Sequence, residues 1–174
     1  MSEMMIKGIY RDRLLDAAGR ELFDSGWRNN LIVMNCRKLL AGFMKNDTAL
    51  GIRSLQVGRG DPAWDVTPPA APDPVTTTQL VDASPFAILH TDLTLQYLDA
   101  SDQIVAGPTN RIEIVATLGN NQPPVAPPAT VFPLREFGLF GELNGTTFMI
   151  DYIRHPLIEK DVAVTLERRV RLIF

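Results

Sequence analysis

The chain has 174 residues, of which 45% are apolar and 21% are charged, and its formal net charge is -3. This composition is typical of an ordinary globular protein, and with a small negative charge we expect no long-range attraction to nucleic acid or to an anionic membrane. Cys36 is the only cysteine, so no disulfide can form within the chain.

The first third of the chain is predicted to be helical. Between residues 9 and 23 apolar side chains recur at three- and four-residue spacings, which is typical of one helix face: Leu14, Leu15, Ala18, Leu22 and Phe23. The breakers at residues 24–26 end this helix, and a second helix is predicted over residues 35–45. Residues 31–34 are either a short strand or the lead into that helix. We expect residues 1–50 to form an N-terminal helical subdomain.

A short strand over residues 52–58 leads into a proline-rich segment. Residues 58–78 contain prolines at a density that opposes both helix and central strand: Pro62, Pro68, Pro69, Pro72 and Pro74. The segment is interpreted either as an ordered surface loop pinned by Trp64 or as a domain boundary. Residues 119–131 form a second proline-rich loop. Proline lowers the entropy lost when a loop is fixed, so we expect both loops to be ordered in an assembly and to contact neighbouring subunits.

From residue 86 onward the chain is predicted to be β. Alternating residues indicate a strand over 86–97 with a bulge near His90, and another strand over 111–118. The dipeptide Asn144-Gly145 predicts a tight hairpin between two further strands. Residues 155–161 are predicted to be irregular, because the proline that follows His155 favours an extended backbone there.

The last thirteen residues alternate strictly, which predicts one long final strand. One face is expected to be buried and carries Val162, Val164, Leu166, Arg168, Val170, Leu172 and Phe174. Glu167, Arg169 and Arg171 are expected on the opposite face. Phe174 is expected to be packed. An α+β fold follows: N-terminal helices followed by an antiparallel β-sandwich, with residues 51–174 as a β-sandwich domain with proline-rich loops.

The sequence contains no motif that predicts chemistry. Cys36 is interpreted as a small buried residue of a helix, and His90 and His155 lie far apart with no cluster of metal ligands around either. No phosphate-binding glycine motif is present, and Arg59-Gly60-Asp61 is interpreted as an ordinary turn. We predict that the protein is not an enzyme and has no catalytic, cofactor-binding or metal-binding residue.

Three residues are predicted to belong to an interface. Trp64 is the large aromatic side chain of the first proline-rich loop, and Arg169 and Arg171 lie on the outer face of the final strand. The alternative for the two arginines is a solvated strand face with cross-strand ion pairs to Glu159 or Glu167. Arg168 is expected to point inward, where it either discourages wrong strand pairing or meets a carboxylate across a subunit boundary.

The C-terminal half resembles β-domains of tail-fibre and baseplate-associated proteins of tailed phages and related contractile injection particles. The resemblance is carried by "LQVGRGDPAWD" at residues 55–65 and by "LREFGLFGELNGTTFMIDYIRHPLIEKDVAVTLERRVRLIF" at residues 134–174. It implies a structural β-domain in which the apolar residues of "LREFGLFG" pack and Arg135 and Glu136 pair with neighbours. The predicted N-terminal helices are not part of that pattern. A fibre would continue beyond Phe174, so we expect a stand-alone connector, baseplate or decoration subunit.

The function expected from this resemblance is that of a non-enzymatic structural subunit of a tailed-phage or phage-tail-like particle. It would act as a tail, baseplate or fibre-associated adaptor, present as a homo-oligomer or in many copies, with other particle proteins as partners. The alternatives are a β-sandwich recognition module for a host glycan or receptor, with Trp64 as its sugar platform, or a capsid decoration protein. No membrane span or signal-peptide core is seen in the sequence, so we expect synthesis in a bacterial host cytoplasm and residence in the particle.

Overall fold

The computed structural model describes residues 5–174, which form two antiparallel sheets and one α-helix. In chain order the elements are β1 (Lys7–Leu15), β2 (Glu21–Asp24), β3 (Arg28–Asn29), β4 (Leu31–Ile32), α1 (Met34–Met44), β5 (Ala49–Gly58), β6 (Phe86–Leu89), β7 (Thr94–Leu98), β8 (Ile104–Val105), β9 (Arg111–Leu118), β10 (Val131–Leu143), β11 (Thr146–Asp161) and β12 (Thr165–Ile173). Short 3-10 helices cover Pro62–Asp65 and His90–Asp92. In the described part of the chain, no helix is both long and apolar enough to cross a membrane.

The two sheets differ in width and share a hydrophobic core. The larger sheet has the order β2-β1-β12-β9-β7-β8, with β3 paired to β1, and the smaller sheet has the order β4-β11-β10-β5-β6. Buried side chains of both sheets meet in one cluster, to which β12 contributes Leu166, Val170 and Leu172 and β10 contributes Phe137 and Leu139. The expected β-rich, sandwich-like arrangement is confirmed.

The prediction of N-terminal helices is wrong. Residues 9–23 form β1 and β2 instead, and β1 pairs with β12 from Lys7 opposite Ile173 to Leu15 opposite Thr165. The leucines whose spacing suggested a helix lie on both sides of a turn between β1 and β2. In this turn the Asp16 carboxylate accepts hydrogen bonds from the Ala18 and Arg20 N–H groups. Strand pairing over nine residues outweighs a local helical preference. Residues 1–4 of the predicted subdomain lie outside the described residues.

The second predicted helix is confirmed as α1. It packs through Cys36, Leu39 and Gly42, which recur every three residues and are buried. Cys36 therefore lies in a helix and is buried, as interpreted from the sequence. The preceding residues Leu31 and Ile32 form the short strand β4, which pairs with β11.

Two details of the C-terminal half differ from the prediction. At His90 the chain forms a 3-10 helix rather than a bulge, because it passes there from β6 in the smaller sheet to β7 in the larger sheet. Residues 155–161, predicted to be irregular, belong to the strand β11, and only their pairing around Pro156 is irregular. The register of the β10–β11 pair shifts between Leu134 and Glu136, which is opposite Pro156. Regular pairing is interrupted there, so the N–H group that proline lacks is not needed for a ladder hydrogen bond.

The predicted hairpin is confirmed, and the final strand is confirmed from Thr165 onward. Val162 and Val164 lie in the turn before β12 and are half-buried, so their predicted place on the buried face of the strand is wrong. Asn144 and Gly145 both have positive φ values, 50° and 78°, as a tight hairpin turn requires. Along β12, side chains alternate between buried and half-buried as predicted, but the strand lies between β1 and β9 rather than at an edge. Phe174 is 39% exposed and not packed, because it follows the last paired residue and only its backbone is held, by Asn110.

Arg168 places a positive charge inside the sandwich. Its guanidinium is 1% exposed and donates to both carboxylate oxygens of Asp12 on β1, at 2.6 and 2.8 Å. The same group lies 3.0 Å from His155 Nε2 and 3.9 Å above the ring of Phe137, both on the smaller sheet. Arg168 thus meets a carboxylate of its own chain and links the two sheets.

We predict that removing one charge of this pair lowers the free energy of unfolding much more than removing both charges. Asp12→Val or Arg168→Met alone leaves a buried charge without its partner, so each should lower the free energy of unfolding by about 3–5 kcal/mol. The double variant carries no unpaired charge and should regain at least half of the loss. Urea-induced unfolding followed by circular dichroism measures all three. Additive losses in the double variant would contradict this role of the pair.

Candidate binding groove

Glu136, in the middle of "LREFGLFG", is buried on the smaller sheet and fixes a distant part of the chain. Its carboxylate is 0% exposed and accepts hydrogen bonds from the N–H groups of Val81 and Asp82 at 3.0 and 2.7 Å. A third donor is the Tyr152 hydroxyl at 2.6 Å, and burial together with this bond raises the pKa of that hydroxyl. A buried charge with three donors is stable only while all three stay in place. We call the whole connection between β5 and β6, residues 59–85, the loop, and it contains most of the first proline-rich segment. Glu136 therefore holds the end of this loop.

Arg135 holds the beginning of the same loop. Its guanidinium donates to both oxygens of Asp65 at 2.9 and 2.7 Å, and a further N–H donates to the Arg59 carbonyl at 2.9 Å. The hydrogen bond from Arg135 lowers the pKa of the Asp65 carboxyl. The expectation that Arg135 and Glu136 pair with neighbours is confirmed. Both of them hold residues 59–85.

The two glycines of "VGRG" permit these contacts. A Cβ at Gly58 would lie 2.7 Å from Glu136 Oε1, which is too close for the carboxylate to stay where it is. Gly60 has a φ of +59°, and a Cβ there would collide with the ring of Trp64. One glycine leaves room for the buried carboxylate and the other for the indole.

Arg154 on β11 is the third side chain that holds the loop. It donates to the Ala70 carbonyl at 2.9 Å and to the Tyr152 hydroxyl at 3.1 Å. Its guanidinium carbon lies 4.7 Å from the centroid of the Trp64 ring, within the range of a cation–π contact. Trp64 is therefore held against the smaller sheet by Arg154, in agreement with the interpretation of an ordered loop pinned by Trp64.

The loop also covers apolar surface. Leu80 packs with Phe140, Met149 and Tyr152 in a second hydrophobic cluster, separate from the core between the sheets. β10 and β11 supply side chains to both clusters, and residues 134–141 are buried throughout. The smaller sheet is thus covered on two faces, by the larger sheet and by the loop.

A groove remains between this loop and β11, and we call it the Trp64 groove. It is bounded by residues 64–65 and 68–72 of the loop and by residues 154–157 of β11, and its volume is about 480 Å³. Its walls are mostly proline, alanine, leucine and tryptophan side chains. Asp65 is paired with Arg135, whereas Arg154 donates to the Ala70 carbonyl and has no carboxylate partner in the described part of the chain. The groove therefore offers a mostly apolar surface whose two charged side chains are held in place.

Arg169 and Arg171 do not join Trp64, since they lie on β12 in the larger sheet. Arg169 pairs with Glu167 at 2.8 Å, and both arginines donate to Glu113 on β9, at 3.0 and 2.7 Å. Arg171 also lies 4.1 Å from the ring centroid of Trp27. The sequence named Glu167 as a partner, but this ion pair lies within β12, and the cross-strand partner of both arginines is Glu113. These arginines form a charge-balanced network and not a free basic patch.

The residues first considered for chemistry are buried or isolated. Burial raises the pKa of the Cys36 thiol to about 11. Burial, reinforced by the nearby Arg168 charge, lowers the pKa of His155 to about 4. His90 faces Arg53 at 3.3 Å. Between residues 5 and 174, no group of three or more His, Cys, Asp or Glu side chains could hold a metal ion.

Comparisons with known proteins identify no relative. No protein-family model matches the chain, and neither the curated proteins nor the solved structures contain a significant match. A function must therefore be inferred from the residues of this chain.

Sequence reasoning located Trp64 but missed most of what surrounds it. The contacts of Asp65 with Arg135 and of Glu136 with residues 81 and 82 join positions 54 to 70 residues apart. No local pattern encodes such pairs. The one available signal in the sequence was the pair of adjacent opposite charges, Arg135 and Glu136, inside the otherwise apolar segment "LREFGLFG".

We predict that Glu136→Gln releases the loop. Glutamine keeps one acceptor oxygen but turns an amide N–H₂ toward one of the two backbone donors, which bond to different oxygens of Glu136, so at least one charge-assisted hydrogen bond is lost. The free energy of unfolding should fall by about 2–3 kcal/mol. Limited proteolysis should then cut within residues 66–85 at a concentration that leaves the parent intact.

The matched control is Glu159→Gln, an exposed carboxylate on the same hairpin. It should resist proteolysis like the parent. Equal resistance of the Glu136→Gln variant would show that the loop is held by other contacts.

Proposed function

We propose that this chain is a non-enzymatic structural subunit of a tailed-phage or phage-tail-like particle, where it acts as a multi-copy adaptor at the tail, baseplate or fibre base. Its partners are other particle proteins and further copies of itself. The observation that carries the proposal is the Trp64 groove, in which residues 64–65 and 154–157 belong to the segments that carry the sequence resemblance.

The loop contacts support a role in assembly. A loop fixed by Arg135, Glu136 and Arg154 loses little further entropy when a neighbour packs against it, so more of the contact energy is available for association. Prolines in the walls have the same effect. An adaptor that must present one surface to many identical neighbours benefits from such a preformed contact.

The buried titratable groups support the non-enzymatic part of the proposal. A thiol whose pKa is raised to about 11 is protonated at neutral pH and is a poor nucleophile. His155 is buried beside Arg168, so it lacks both the exposure and the proton affinity of a general base near pH 7.

Glycan recognition through Trp64 is a weaker candidate. A sugar platform needs an open aromatic face, but the Arg154 guanidinium stacks on the Trp64 ring and Gly60 lies against its edge. A capsid decoration role belongs to the same structural class as the main proposal and differs only in the place of attachment.

We predict that antibodies against this chain label particles from lysates of the producing cells. Immunogold electron microscopy should place the label at one fixed position on the tail or baseplate, in several copies per particle. Particles from cells that lack the coding gene are the control and should carry no label. Recovery of the chain only in the particle-free fraction would overturn the proposal, and label on the capsid shell would favour decoration.

A further inference from the structure

We infer that the Trp64 groove binds a second copy of this chain, through the exposed turn formed by residues 126–129. We call this turn the Ala-Pro-Pro-Ala knob. The inference rests on the proposed multi-copy role and names the partner of the groove. The proposed contact joins two different surfaces of the protein, the groove of one copy and the knob of the next.

The knob is a compact apolar projection from the second proline-rich loop. Its four residues, Ala126, Pro127, Pro128 and Ala129, are all exposed, and the turn is closed by a hydrogen bond of 3.0 Å from the Ala129 N–H to the Ala126 carbonyl. The segment on which it stands is anchored. Asn121 donates to the Val162 carbonyl, Val162 donates to the Thr130 carbonyl, and Val125 packs against the core.

The groove and the knob are compatible in charge. No charged residue occurs between Gly119 and Leu134 in the sequence, so the knob itself is neutral. In the groove, Asp65 is paired with Arg135, and Arg154 is held by the Ala70 carbonyl, the Tyr152 hydroxyl and the Trp64 ring. A neutral apolar ligand leaves all of these contacts intact.

They also match in hydrogen-bonding capacity. Pro127 and Pro128 have no backbone N–H, and neither do Pro68, Pro69 and Pro72 in the groove wall. Burying a backbone N–H without a partner is costly, so two surfaces that lack these donors lose little when they exclude water between them. The volume of about 480 Å³ is within the usual range of ligand sites.

A groove on one copy and a knob on the next define a head-to-tail contact. Such contacts close into rings when the rotation between copies allows it, and otherwise continue as open filaments. Each copy uses both surfaces once, so an assembly needs only this one kind of contact between its members. That arrangement suits an adaptor present in several copies.

The test blocks each surface separately and then mixes the blocked proteins. Leu157→Glu places a charge in the groove at a residue that is 36% exposed, and Pro127→Glu places one on the knob. Leu95→Glu, at an exposed residue of the larger sheet outside both surfaces, is the matched control. Sedimentation velocity of the full chain is recorded up to about 1 mM, where even weak association is detectable.

The parent and the Leu95→Glu control should associate as concentration rises. Each blocking variant alone should associate at least about tenfold more weakly. An equimolar mixture of the two blocking variants retains one intact groove and one intact knob, so it should form dimers and nothing larger. A face-to-face contact of identical surfaces cannot give that result.

Three outcomes would overturn the inference: a parent that stays monomeric at about 1 mM, blocking variants that associate like the parent, or a mixture that stays monomeric. Circular dichroism of each variant shows that it is folded, so that a loss of association is not mistaken for unfolding. None of these outcomes decides whether the chain is found in particles. Immunogold labelling answers that separately, so the two proposals can fail independently.

Discussion

The adjacent buried charges of Arg135 and Glu136 are the constraint on which the two ends of the loop depend, and with the loop the groove that it borders. The proline-rich loop cannot be held by strand pairing, because prolines lack the N–H groups of a β-ladder. Side chains of the β10–β11 hairpin hold it instead, and Glu136 alone binds two consecutive backbone N–H groups of the loop. The same loop then buries Leu80 on the smaller sheet. A charge inside a strand thus orders a segment that local sequence preferences leave undefined.

The buried charge of Arg168 joins the two sheets in the same way. A buried guanidinium is tolerated because Asp12, His155 and Phe137 surround it with a carboxylate, a ring nitrogen and an aromatic face. At Arg168 the charge lies on the face that the alternation of the sequence predicts. In both places the partner comes from a remote strand or loop. Buried charges of this kind fix which segments meet, while the apolar residues supply most of the stabilisation.

The sequence predicted the elements whose signals are local. The Asn144-Gly145 turn, the alternation around Arg168 and the helix over residues 35–45 are each set by neighbouring residues, and all three are confirmed. β1 was missed because its conformation is imposed by pairing with β12, more than 150 residues away. At the groove, Trp64 was predicted because it is the large aromatic side chain of the loop, but its contact with Arg154 depends on the fold.

Amide exchange at Val81 and Asp82 in the isolated, monomeric chain tests the central claim most directly. If Glu136 orders the loop without help from a neighbour, both amide protons should exchange slowly, at rates approaching those of the β10 strand. Ser84 is the internal reference, because its N–H bonds only to the nearby Asp82 side chain and should exchange fast. Fast exchange at all three positions would contradict the account, since Glu136 would then not order this end of the loop before assembly.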